Sequence, residues 1–169
     1  MIHAMAMEVG GCGAGLSKSI QLRKISSLGV DLDLVLARID LLKPHEQVVH
    51  DHLVEIIRSI KEKGYYGPPI LVERDHYIIL DGHHRVNALK SLEVEWVPAL
   101  LLRYQSEYLT LTSWKPGVNV SPHDVIRRAL SGKLYPPKTT RHIIHLKLPV
   151  IKASLRDLRI GSIRGVSFE

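Results

Sequence analysis

The apolar run Tyr77-Ile78-Ile79-Leu80 ends in Asp81-Gly82 and continues at once into His83-His84-Arg85. A buried strand that turns through Asp-Gly directly into a helix gathers the helix's unpartnered N–H groups at one point. Those donors and the helix dipole favour a negative ligand, and a glycine lets backbone approach it closely. Two imidazoles and a guanidinium on the same turn add side-chain donors. This density of polar groups after a buried strand predicts a phosphate-handling site in a layered fold of strands and helices.

The flanking pattern agrees with that class. Val35-Leu36-Ala37-Arg38-Ile39 reads as a strand. From Pro44 to Lys63 the apolar positions Val49, Leu53, Ile56, Ile57 and Ile60 recur at helical spacing, with Pro44 suited to the first helical position and Gly64 to the end. Residues 69–73 and 76–80 read as a hairpin around Arg74-Asp75, and a short helix spans 83–91. Residues 97–104 form a buried strand with Pro98 at its start. Ser121-Pro122 caps a helix that stops near Gly132. Strands and helices interleave over one core, so the fold class is α/β (α+β), a mixed sheet with flanking helices. Residues 1–30, with the glycine cluster 10–15, are expected to be a flexible segment ahead of a single domain, 31–169.

Composition narrows the function classes. No apolar run approaches the roughly 18 residues that cross a bilayer, and the first fifteen residues lack the basic start and apolar core of a secretory signal. A lone Cys12 excludes an internal disulfide and a cysteine-rich zinc site, and fits a reducing cytoplasm. The glycine cluster is no P-loop, because no Gly-Lys-Ser/Thr follows it. Charge is uneven. From Arg127 onward ten Lys/Arg face two acids, whereas the first 126 residues carry thirteen bases and fifteen acids. A basic final third fits a polyanionic partner, nucleic acid or nucleotide, or simply a solvated basic face.

Candidate chemistry concentrates in three places. Glu46 reads either as an acid favoured in the first turn of a helix or as a general base for an attacking hydroxyl. Asp81 reads as a turn aspartate or as a carboxylate that organises magnesium or orients the nucleophile beside phosphates. His83 and His84 diverge by about 100° on a helix and make poor joint metal ligands. They suit phosphate donation better, with Arg85 as a forked clamp. Lys138-Thr139-Thr140-Arg141-His142, in a loop stiffened by Pro136 and Pro137, is a solvated basic loop or a holder of carboxylate or phosphate. Trp114, beside Pro116, reads as core or as an apolar wall for a small ligand. No Gly-x-Ser-x-Gly elbow supports an acyl-transfer triad.

Taken together and in order, Lys43-Pro44-His45-Glu46-Gln47, Asp81-Gly82-His83-His84-Arg85 and Pro137-Lys138-Thr139-Thr140-Arg141-His142 resemble the archaeal free L-serine kinases of the ParB/sulfiredoxin-like superfamily. The resemblance runs over about residues 33–158 and implies phosphorylation of free L-serine to O-phosphoserine, with ADP or ATP as donor and Mg²⁺. It implies Glu46 as catalytic base and Asp81 as the second acidic member. Gly82, His83, His84 and Arg85 would grip phosphates, with Lys138 and Thr139 beside them. Ser59, Trp114, Thr140, Arg141 and His142 would hold the substrate. Longer members carry an acidic insertion after the Trp114 region, where some two dozen residues stand here. A ParB-like nucleotide- or DNA-binding module without kinase activity is the competing expectation, although no helix-turn-helix pattern follows the phosphate turn. A sulfiredoxin-like reductase needs a cysteine where His83 stands.

Overall fold

The computed structural model describes residues 22–29, 32–163 and 165–168. In chain order its elements are β1 (Leu22–Gly29), β2 (Leu32–Arg38), a 3-10 turn (Ile39–Leu41), α1 (His50–Lys63), β3 (Tyr65–Gly67), β4 (Ile70–Glu73), β5 (Ile78–Asp81) and α2 (His83–Ser91). There follow β6 (Trp96–Leu102), β7 (Leu109–Ser113), α3 (Pro122–Ser131), β8 (Thr140–Ile144), β9 (Val150–Ala153), α4 (Leu155–Ile160) and β10 (Gly165–Ser167).

A five-stranded sheet in the order β1-β2-β6-β4-β5 forms the centre. Its β4–β6 pair is parallel and its other pairs are antiparallel, so the sheet is mixed, as expected. Both faces are covered. Ile70, Val72, Ile79, Ala99 and Leu101 pack on one side with residues of α1, α2 and α4, while Leu71, Ile78, Leu80, Leu100 and Leu102 pack on the other with Val125 and Ala129 of α3. Alternate residues therefore enter different cores, which is why β4 and β6 read as unbroken apolar runs. Two smaller sheets, β10-β9-β3 and β7-β8, complete the fold.

Local turn chemistry sets the ends of α2 and α3. Gly82 sits at φ +104°, and a Cβ there would lie 2.5 Å from Ile70 Cγ2. The strand-to-helix turn thus requires a residue without a side chain. Ser121 Oγ accepts from Asp124 N at 3.2 Å to cap α3, with Pro122 in the first turn and Gly132 closing it.

Two expectations need correction. Residues 22–29, assigned to a flexible segment, form β1 and pair with β2; the glycine cluster itself lies outside the described residues. The helix expected from Pro44 begins at His50 instead. Residues 43–49 run extended across the mouth of α2, with Lys43 bridging Ile78 and Glu46 bridging Tyr135. Lys43 N donates to Tyr77 O, Gln47 N to Tyr135 O, and Lys43 O accepts from Ile79 N, each at 2.9 Å. These bonds to residues distant in the chain satisfy backbone groups that a first helical turn would have left open.

Candidate functional site

The extended strap, the α2 turn and the 138–142 segment meet around a cleft of about 440 Å³. Asp81 ends β5, and Gly82 opens α2 without a side-chain cap, so the first N–H groups of α2 have no partner among the described residues. Arg85 is oriented from behind. It donates to Asp81 Oδ2 and to Tyr65 Oη, each at 3.0 Å, and to the Pro68 carbonyl. Asp81 is 60% exposed in this pair.

Glu46 joins the strap to the far wall. Its Oε1 accepts from Lys138 N at 2.7 Å. Its Oε2 accepts from Thr139 N at 3.2 Å, and from Thr140 N and Thr140 Oγ1 at 2.8 Å each. Lys138 has φ +56°, and this left-handed residue turns three successive amides toward one carboxylate, an anion nest occupied by the protein's own side chain. Oε2 is saturated, whereas Oε1, with one donor, keeps a lone pair.

Histidines knit the strap to the turn. His83 Nε2 accepts from His45 N at 3.4 Å, and His84 Nε2 accepts from Val49 N at 3.0 Å. His45 is fully buried; its Nδ1 meets the Ile79 carbonyl at 2.7 Å and its Nε2 meets Thr140 Oγ1 at 2.8 Å. Its ring lies edge-on to His83 at 4.6 Å and to His142 at 5.5 Å. Burial pushes His83 well below the ordinary imidazole range, and neighbouring His45, His142 and His84 add to it. Burial, then His45, brings His142 to about 3. Burial also lowers His45 and His84, with His52 contributing to the latter. His142 Nε2 shares a 2.9 Å hydrogen bond with Tyr104 Oη.

The predicted residues fall into two groups. Glu46, Asp81, Gly82, His83, His84, Arg85, Trp114, Lys138, Thr140, Arg141 and His142 all line the cleft. Trp114 is no core residue: it is 56% exposed, with the Arg141 guanidinium stacked 4.3 Å from its ring centre. Thr139 is buried behind the wall, where Oγ1 donates to Pro136 O and accepts from Lys115 Nζ. Ser59 lies outside the main cleft, in an adjoining hollow of about 300 Å³ with Tyr65, Tyr66 and the back of Arg85. Arg141 and His142, expected in a loop, stand on β8. Sequence reasoning missed His45, Tyr65 and Tyr104; His45 stood in the quoted strap motif, but no pattern marked its partners ninety-odd residues on.

A magnesium ion fits this donor set only with help. Among the described residues no group of three His, Cys, Asp or Glu side chains is arranged to hold a metal ion. Asp81 offers one exposed carboxylate, and magnesium is commonly held by one or two carboxylates together with substrate phosphates.

The ADP-dependent L-serine kinase SerK of Thermococcus kodakarensis is 33% identical to the chain over 101 residues, 57% of this chain and 42% of that protein. The ATP-dependent L-serine kinase of Staphylothermus marinus is 36% identical over 88 residues, 50% and 35% of the respective lengths. The chain thus matches less than half the length of these curated relatives. A solved free serine kinase in complex with AMP superposes with a TM-score of 0.67 at 18% identity, covering 83% of this chain and 97% of that one. The ParB N-terminal domain matches residues 20–112, a stretch that holds all five strands of the central sheet, the strap and the phosphate turn. On that match the chain belongs to the ParB N-terminal domain family.

Proposed function

We propose that the protein phosphorylates free L-serine to O-phospho-L-serine, with ADP or ATP as donor. The observation that carries the reading is that one cleft is lined both by the uncapped start of α2 with Arg85 and by a carboxylate, Glu46, that keeps an open lone pair on Oε1. The kinase names of two relatives support it, one ADP-dependent and one ATP-dependent.

The unpartnered amides of α2 and the Arg85 fork would gather the charge of the transferred phosphoryl group. Asp81 and the donor's own phosphates would hold Mg²⁺, which neutralises phosphate charge when bound. Glu46 Oε1 would take the proton of the serine hydroxyl as its oxygen attacks phosphorus in line with the leaving group. Arg141, beside Trp114, would receive the serine carboxylate. Lys138 stands at the cleft as a further cation for phosphate. Positioning and electrostatics dominate such transfers.

The test is phosphorus NMR of the purified protein with Mg²⁺, L-serine and either ADP or ATP, beside a Glu46→Gln control. O-phosphoserine with one donor, absent in the control while nucleotide affinity stays within threefold, is the expected result. No phosphoserine with either donor overturns the reading. Loss of nucleotide binding along with turnover in Glu46→Gln would reduce Glu46 to a strut for the loop.

A further inference from the structure

Proton counting along one line of contacts gives His45 and Thr140 a task. From the Ile79 carbonyl the line passes through His45 Nδ1, His45 Nε2 and Thr140 Oγ1 to Glu46 Oε2, with steps of 2.7, 2.8 and 2.8 Å. Each of the three contacts needs one proton between its heavy atoms. The carbonyl accepts only, so Nδ1 must carry a proton. A neutral imidazole supplies that one, and the threonine hydroxyl supplies one more. With Glu46 ionised and His45 neutral, the three contacts share two protons. One contact then sets lone pair against lone pair at 2.8 Å, beside an imidazole that is fully buried.

We propose that this line holds a third proton, shared between His45 and Glu46 through the Thr140 hydroxyl. It has two arrangements that need no heavy-atom movement. In one, imidazolium Nε2–H donates to Oγ1, which donates to the Glu46 carboxylate. In the other, both protons have moved one place, leaving a neutral imidazole and a protonated Oε2. The surroundings pull oppositely. Burial disfavours charge on His45, whereas the Ile79 carbonyl and the Glu46 carboxylate favour it.

For the reaction proposed above, on which this part rests, His45 and Thr140 are positioning residues. They decide whether Glu46 carries its charge when the acceptor hydroxyl arrives. With the shared proton on His45, Glu46 Oε1 takes the hydroxyl proton, the acceptor oxygen bonds to phosphorus, and the bond to the leaving phosphate breaks with its electron pair. That acquired proton leaves to solvent through the cleft once the product departs.

Two readouts separate this proposal from the kinase reading. Nitrogen-15 NMR of histidine rings in the full chain needs no turnover. The His45 Nε2 signal is expected to move on Glu46→Gln while Thr140 is present, and to lose most of that response in Thr140→Val. A His45 signal indifferent to Glu46→Gln overturns the shared proton even if the kinase is active. In kinetics, Thr140→Val should lower kcat at least tenfold and displace the acid limb of the pH profile, with the serine KM within threefold. Thr140→Ser, which restores the hydroxyl, should recover kcat to within threefold. A raised serine KM with kcat intact would make Thr140 a substrate contact, and failure of Ser to rescue would make it packing; either overturns the role. Should Thr140→Val not fold, the Glu46→Gln NMR arm and the Ser variant still decide.

Discussion

Gly82 bears two requirements at once. Its φ of +104° is a conformation side chains rarely adopt, and an added Cβ would meet Ile70 Cγ2 at 2.5 Å and Cβ at 2.9 Å. Left-handed strain costs on the order of 1–3 kcal/mol and overpacking a similar amount. Gly82→Ala is therefore expected to lower unfolding free energy by at least about 2 kcal/mol, measured by urea denaturation. A loss under about 0.5 kcal/mol would mean that the turn relaxes freely. Trp114 offers a second probe at this scale. Exposed at the cleft and stacked on Arg141, its fluorescence should change when serine and nucleotide bind. Trp114→Phe should abolish most of that change, and a signal that persists would place its origin at buried Trp96.

Among the elements, α3 shows how far local chemistry reaches. Ser121 caps it through Asp124 N, and Val125 is fully buried against the sheet. Ser121→Ala should cost about 1 kcal/mol, read from the urea midpoint, and no shift would show that the Asp124–Arg127 pair alone holds the turn. The helices α2 and α3 were legible because their starts are written in adjacent residues, Asp81-Gly82 and Ser121-Pro122. The strap was not. Pro44 and the helical spacing from Val49 onward describe a longer helix, and locally they do so correctly. What overrules them is a set of bonds to Tyr77, Ile79, His83, His84 and Tyr135, and one-dimensional periodicity carries no trace of partners that distant. For the same reason Glu46 was recognisable as a chemical group but not as the anchor of the 138–140 amides. Ser59 illustrates the converse: one face of α1 serves two hollows, and spacing along a helix does not say which hollow a residue enters.

At the scale of the whole molecule, the excess of positive charge is less free than the composition implies. Arg127 pairs with Asp124, Arg128 stacks on Tyr135, Arg141 stacks on Trp114 and Arg159 donates to the Leu92 carbonyl. These contacts give several of the basic residues structural work and weaken the case for a continuous nucleic-acid face. Buried imidazoles set the response to acid. His83 and His142 stay neutral in the fold, the latter down to about pH 3, while in the unfolded chain they protonate near the ordinary 6.5. Below that value the unfolded chain binds more protons, so stability falls as pH drops from about 6.5 toward 3. Urea midpoints should decline between pH 7 and pH 5; a flat profile would show these rings reaching solvent in the folded state.

The strap also fixes when the cleft exists. Glu46 is held by amides 92 to 94 residues later in the chain, and His45 by a hydroxyl 95 residues later. Such distant closures are slow to form, because loop entropy is lost before the contacts reward it. During synthesis the sheet from β1 to β6 can assemble while the carboxylate has no nest to enter. The newborn protein therefore has its scaffold before its chemistry, and the cleft becomes competent only after residue 140 has left the ribosome.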